Sequence, residues 1–145
     1  MIKKIDLSII ENKQMIYNFY IRHYSAPKYL LPNSVENIKG IYYGYFDGDY
    51  LIGITKIEYL SPFLMYTMST VVHSEYRNQG IATSINDYLE KLAKENGITK
   101  IKCNIYVDNI PSIVVKLKRG YLIEGLFRDH DEIGKHEYVL GKVLK

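Results

Sequence analysis

Cysteine occurs once in this chain, at Cys103, so neither an internal disulfide nor a thiolate metal cluster is available. A reducing, cytoplasmic setting is the default expectation for such a composition. No apolar run approaches the ~18 residues that a membrane span needs. The opening "MIKKIDLSII" does not read as a secretory signal, because Asp6, Glu11 and Asn12 interrupt any apolar core. No repeat, low-complexity tract or linker divides the 145 residues. That length suits one domain, 1–145, with a core large enough to need no staple. Charge of one sign does not dominate either: the net charge is +3, which permits an anionic or nucleic-acid partner without requiring one. Only Ala26, Ala82 and Ala93 are alanine, against fifteen tyrosines and many lysines. Tyrosine with lysine would suit RNA stacking, but codon bias from an A/T-rich genome explains the mix more simply.

What is present alternates along the chain. "IKKID" reads as a first strand. Ser8 and Glu11 form an S-x-x-E capping box that would open a helix. Ile9, Ile16, Phe19, Tyr20 and His23 keep roughly helical spacing up to Pro27. Residues 27 to 40 are punctuated by Pro and Asn, with one short helix near Val35–Ile38. Asp47-Gly48 between "IYYGYF" and "YLIGITKIEYL" predicts a hairpin. "LMYTMSTVVH" is a third strand-like run. A helix is expected from about Gly80 to Asn96, with Ile81, Ile85, Tyr88, Leu89, Leu92 and Ala93 as its apolar stripe and Gly97 as its stop. "ITKIKCNIYV" alternates, placing Cys103 on the apolar face as a core residue. Asn109 reads as an N-cap, with Pro111 tolerated in the first turn of a helix that runs to about Lys118. Two strands close the chain, near 121–130 and 136–144. The expected order is β-α-(α)-β-β-β-α-β-α-β-β, mixed α/β (α+β) with a largely antiparallel sheet.

The stretch "HSEYRNQGIATSI" carries the functional signal. Arg77 and Gly80 stand just before the helix, and the small Ala82 lies in its first turn. A helix start presents unpaired N–H groups and partial positive charge, which together bind phosphate. Gly80 lets a ligand approach the backbone, and Ala82 keeps the helix start open. A lone R-x-x-G-x-A is weak. Its place between the strand ending "TVVH" and an amphipathic helix is much more specific.

With these residues the chain resembles the GNAT superfamily of N-acetyltransferases over roughly residues 41 to 130. "FDGDYLIG" is similar to the family's hairpin, "VVHSEYRNQGIATSI" to its acetyl-CoA motif with Ser74 where proline is common, and "NIPSIVVKLKRGY" to its closing motif. "IEGLFRD" is similar to members that acetylate protein N-termini or polyamines. The resemblance implies a mixed, mostly antiparallel sheet of about six to seven strands flanked by helices, with two central strands splayed into a V. It implies acetyl-CoA as cofactor, pantetheine along the backbone of Thr70, Val71 and Val72, and pyrophosphate on the amides of Arg77, Asn78, Gln79, Gly80, Ile81, Ala82 and Thr83. Asn109 and Ser112 match cofactor-side positions, and Lys116 is a further candidate contact. Asn109 as a plain N-cap and Arg77 as a solvated cation are the plain alternatives.

Amine acetylation requires a lost ammonium proton, a polarised thioester carbonyl and a leaving thiolate. The Val72 N–H is the expected oxyanion-type donor. Glu58 is the first candidate base, followed by His73 and Glu75, although a solvent-facing strand residue would look the same. His130 and His136 are read as surface residues near the substrate mouth. Where family members often carry a tyrosine as general acid, this chain has Lys116, with Tyr121 and Tyr106 as unranked substitutes. No metal is called. The reading is an acetyl-CoA-dependent N-acetyltransferase acting on a primary amine of a small molecule or protein N-terminus, by direct attack in a ternary complex. Neither a membrane nor a nucleic acid is expected as partner, and a homodimer stays open. The alternatives are a non-catalytic CoA-binding module of the same fold and, last, an RNA-associated protein.

Overall fold

The computed structural model describes residues 1–24 and 32–145. Pro27 and the stretch around it therefore lie outside the described residues. The elements run β1 (Ile2–Lys4), α1 (Ile10–His23), a 3-10 turn (Val35–Asn37), β2 (Ile41–Asp47), β3 (Tyr50–Ser61), β4 (Leu64–Val72), a second 3-10 turn (Ser74–Tyr76), α2 (Ile81–Glu95), β5 (Lys100–Tyr106), α3 (Ile110–Lys118), β6 (Leu122–Glu132) and β7 (Lys135–Val143). This is the order expected from the sequence, plus the turn at Ser74–Tyr76. The strands order as β1-β2-β3-β4-β5-β7-β6 in one mixed sheet of seven. Two compact units are distinguished, Met1–Glu58 with Ser69–Leu89, and Tyr59–Met68 with Glu90–Lys145.

In the first unit β1 pairs antiparallel with β2, and β2 with β3. The β2–β3 hairpin turns at Gly48, whose φ is +60°, with Asp47 paired to Tyr50. On α1, Ile16, Phe19, Tyr20 and His23 are buried at helical spacing, so this face packs on the core with Ile38, Ile54 and Val71. The capping box is not formed. The helix begins at Ile10, and its N-cap is Ile9, with no side-chain cap. The Ser8 hydroxyl donates instead to Asp6 Oδ1 at 2.7 Å, an acceptor that also takes the Ser8 N–H at 2.9 Å. A nearer Asx-type turn outcompetes the helix cap, because Asp6 offers both bonds two residues away. Ile9 is correspondingly exposed rather than part of the stripe.

In the second unit β5 pairs antiparallel with β7, and β7 with β6. The parallel pairing of β4 with β5 is short: Leu64, Met65 and Tyr66 of β4 lie against Lys100, Ile101 and Lys102. It stops at Tyr66, although β4 continues to Met68 within this unit and β5 to Tyr106, so the two strands part early. Ile101, Cys103 and Leu140 share one buried face of the sheet, and Val139, also buried, lies on the other.

Candidate active site

Strand β4 leaves its regular conformation at Ser69, whose φ of +53° is unusual for a non-glycine residue. The buried Tyr20 hydroxyl donates to the Ser69 carbonyl at 2.7 Å, fixing that kink to α1. Beyond it the backbone alternates. The His73 N–H bonds the Ile52 carbonyl of β3 at 2.8 Å. Because successive N–H groups of a strand point to opposite sides, those of Val72 and Thr70 point away from β3. Thr70 is exposed and its hydroxyl meets that of Thr55 at 2.8 Å, while the Val71 side chain is buried in the core. Only the backbone of Val71 is thus open to a ligand role.

The chain then folds tightly. Asn78 has φ +62° and Gly80 φ +82°, two left-handed residues with one between. The first bond of α2 runs from the Ser84 N–H to the Gly80 carbonyl at 2.9 Å. The amides of Ile81, Ala82 and Thr83 therefore belong to the turn of N–H groups for which a helix has no internal acceptor. Asn78, Gln79, Gly80, Ala82 and Thr83 are exposed, and the buried Ile81 side chain anchors the turn. A Cβ on Gly80 would meet no protein atom within 4 Å, so its φ, not packing, asks for glycine. Packing asks for glycine at Gly53 instead. A Cβ there would lie 2.9 Å from Ile81 Cγ2 and 3.0 Å from Ile85 Cδ1. Gly53 lets the first turn of α2 sit against β3, a requirement no local sequence pattern announces.

Arg77 braces this turn. Its guanidinium donates to the His23 carbonyl at 2.8 Å and to the Val72 carbonyl at 3.3 Å. It ties the end of α1 to the end of β4. Two histidines complete the support. His73 Nδ1 accepts the Glu75 N–H at 3.1 Å, and His23 Nδ1 accepts the Ser74 N–H at 3.3 Å. Their rings meet at a tilt of 37°, with centroids 4.0 Å apart. Both acceptor nitrogens must be unprotonated, which makes each neutral ring an Nε2–H tautomer. The His73 Nε2–H then meets the Tyr50 hydroxyl at 3.1 Å. Burial first, then His73 and the Arg22 and Arg77 guanidiniums, pull the His23 pKa below its ordinary value. Both ring nitrogens of His73 are thus engaged, one by the Glu75 N–H and the other by the Tyr50 hydroxyl. No local pattern announces the pairing, since only the fold brings residue 23 beside residue 73. Glu58 is exposed near the end of β3, and Glu75 is exposed in the 3-10 turn.

In the second unit Asn109 caps α3 as expected, its Oδ1 accepting the Ser112 N–H at 3.4 Å. Lys116 turns toward the interior. Its Nζ lies 4.7 Å from the Tyr121 ring centroid, and burial, opposed by the nearby Cys103 and Glu90, lowers its pKa. Glu90 Oε1 takes Lys142 Nζ at 3.0 Å and Arg119 Nη2 at 3.3 Å. Burial pushes the Cys103 thiol up and the Tyr121 phenol much further up. Neither Tyr121 nor Tyr106, whose hydroxyl donates to Asp131 Oδ2 at 3.2 Å, is set up as a ready proton donor.

A kinked strand, a glycine turn and an exposed helix start thus follow one another, within a seven-stranded mixed sheet. Residues 9–121 match the model of the acetyltransferase (GNAT) family, and the chain belongs to that family. The chain is 26% identical over 118 residues, 79% of its length, to the uncharacterized protein YxbD of Bacillus subtilis (strain 168), spanning 72% of that protein. In fold it resembles the ribosomal-protein-S18-alanine N-acetyltransferase from Escherichia coli, with TM-score 0.82 and 11% identity over 100% of this chain and 94% of that one. It also resembles an aminoglycoside 6'-N-acetyltransferase solved with coenzyme A, with TM-score 0.76 and 16% identity over 100% and 97%. The family uses acetyl-CoA, and the chain is an acetyltransferase by membership. Among the described residues no helix is long and apolar enough to cross a membrane.

Proposed function

We propose that this chain transfers an acetyl group from acetyl-CoA to a primary amine of a small molecule or a protein N-terminus, by direct attack in a ternary complex. The observation that carries the reading is the turn Arg77–Gly80 at the head of α2. Two left-handed residues lead there into the first helical amides, and Asn78, Gln79, Gly80, Ala82 and Thr83 are exposed. Backbone donors of this kind suit a pyrophosphate, because they are preorganised and cost no side-chain entropy. The amides of residues 77 to 83 would hold the phosphates, with Arg77 bracing them through its carbonyl contacts. The backbone of Thr70 to Val72 would hold the pantetheine arm. When bound, acetyl-CoA supplies an activated thioester.

The Val72 N–H, pointing away from β3, is the donor assigned to the acyl oxygen. Glu58, exposed on β3, is assigned to take the ammonium proton, directly or through water. Asn109 and Ser112, the cap of α3, are kept as cofactor contacts by the family motif. The ammonium of Lys116 is occupied by the interior, so the proposal gives the leaving thiolate no dedicated acid. A thiol with a pKa of about 8.5 leaves tolerably without one. Similar folds serve acceptors as different as an aminoglycoside and a ribosomal protein, and so do not select the amine.

The inward Lys116 favours one second reading, a CoA-binding module without catalysis. Calorimetry with CoA and a CoA-release assay over a panel of amines separate the two. Binding with turnover on some amine supports the proposal, binding without turnover supports the module, and no CoA binding overturns both.

A further inference from the structure

A second candidate site lies in the β6–β7 hairpin, within the second unit. The register of β6 against β7 breaks between Phe127 and Glu132, and Asp129 takes φ +50°. That irregularity brings His130 and Asp131 to Glu137. One ligand atom from each of the three lies within 4.8 Å of the others. Glu137 is the unusual member. It stands on the middle strand, opposite Tyr106 on one side and Phe127 on the other, and is only 6% exposed. Its Oε2 is buried and has no hydrogen-bond partner. A buried acceptor left unsatisfied costs about 1–3 kcal/mol. The Asp131 carboxylate and the His130 imidazole both face it. The group asks for a cation.

The geometry points to a binding site for one divalent transition-metal ion held by His130, Asp131 and Glu137. One imidazole nitrogen with two carboxylate oxygens is the donor set of zinc, manganese or a neighbouring metal, whereas calcium and magnesium prefer oxygen alone. Ligand atoms on a tetrahedral ion with bonds of ~2.1 Å are about 3.4 Å apart. The three atoms, all within 4.8 Å of one another, must therefore draw in by up to ~1.4 Å, and the His130 and Asp131 side chains that must move are exposed. Outer contacts already orient them. Tyr106 holds Asp131 Oδ2, and the Phe127 ring lies 4.7 Å from that of His130. Partners of this kind commonly tune a metal site. An organic ammonium would need the carboxylates but would gain little from the imidazole. The inference does not depend on the acetylation reading, because its test reads metal binding alone.

Untagged protein, stripped with a chelator and dialysed, is titrated with zinc or manganese by calorimetry at pH 7.5, with thermal unfolding in parallel. One equivalent is expected to bind with a Kd of order micromolar. Glu137→Gln and His130→Ala should each weaken it tenfold or more and abolish the metal-induced rise in Tm. Circular dichroism of both variants in chelator checks that they fold. His136→Ala, which removes the adjacent imidazole, should keep the wild-type affinity. A Kd weaker than millimolar, full affinity in Glu137→Gln, or an equal loss in His136→Ala overturns the site. Binding of putrescine that Glu137→Gln abolishes, with no metal bound, overturns it in favour of an organic ammonium.

Discussion

Replacing Gly80 by alanine isolates the cofactor turn from the stability of the fold. Gly80 and Gly97 both have left-handed φ, +82° and +75°, and an added Cβ meets no protein atom within 4 Å at either. Each Gly→Ala change should therefore cost the same backbone strain, about 1–2 kcal/mol. A domain of ordinary stability, about 5–15 kcal/mol, survives that. For a chain of this length it corresponds to a Tm lower by roughly 2–8 °C. The consequences for CoA should differ sharply. Gly97 ends α2, whereas the Gly80 amide and those after it are the proposed phosphate donors. Loss of one or two charge-assisted hydrogen bonds, at about 1.5–3 kcal/mol each, weakens CoA binding by roughly 10-fold to more than 100-fold. Gly80→Val should go further, since a β-branched residue at this φ is a genuine outlier and its bulk stands where the ligand would lie. The assay is calorimetric titration with CoA beside thermal unfolding of the same samples. Equal CoA affinities in folded Gly80→Ala and Gly97→Ala proteins would refute the phosphate-turn argument.

His23 sets a pH dependence. The His23 pKa is depressed below its usual 6.5, so its stabilising contribution is present above that value and is lost as pH falls toward the folded pKa. His23→Gln should flatten the decline in Tm between pH 7 and 5, and an unchanged slope would remove His23 from that role. Tyr20→Phe removes the hydroxyl bond to the Ser69 carbonyl and should cost about 1 kcal/mol in urea unfolding, with the m-value unchanged. Cys103, buried with its thiol pushed up, should resist a thiol reagent in the native protein and react at once in denaturant; rapid native labelling would contradict its placement. Lys116→Met keeps the volume and removes the charge. If the ammonium serves the interior, kcat should stay within about threefold while Tm shifts, and a tenfold loss of kcat with unchanged CoA affinity would instead make Lys116 the thiolate's partner.

Much of this protein was legible in one dimension because its signals are local. The period of Ile81, Ile85, Leu89 and Ala93 dictates α2 whatever packs on it, and the alternation through Cys103 dictates β5. Asp47-Gly48 and the Asn109 cap need only near neighbours, and both formed as expected. The turn at Gly80 was readable for the same reason, as were the family and its cofactor. The capping box at Ser8 failed because Asp6, two residues away, competes for the same hydroxyl and amide. Other features are decided between distant residues, and no local pattern carries them. The sheet order that inserts β7 between β5 and β6 depends on which edges meet after collapse. The close approach that makes Gly53 necessary depends on a helix 28 residues further on. The touching histidines at 23 and 73, and the histidine and two carboxylates gathered at Glu137, exist only once strands and helices have packed. Lys116 shows the limit most clearly. Its position in the motif suggested chemistry at the thiolate, while its environment of Tyr121, Cys103 and Glu90 was fixed by tertiary packing, which alone determines where a long flexible side chain finds its charge and its shelter from water.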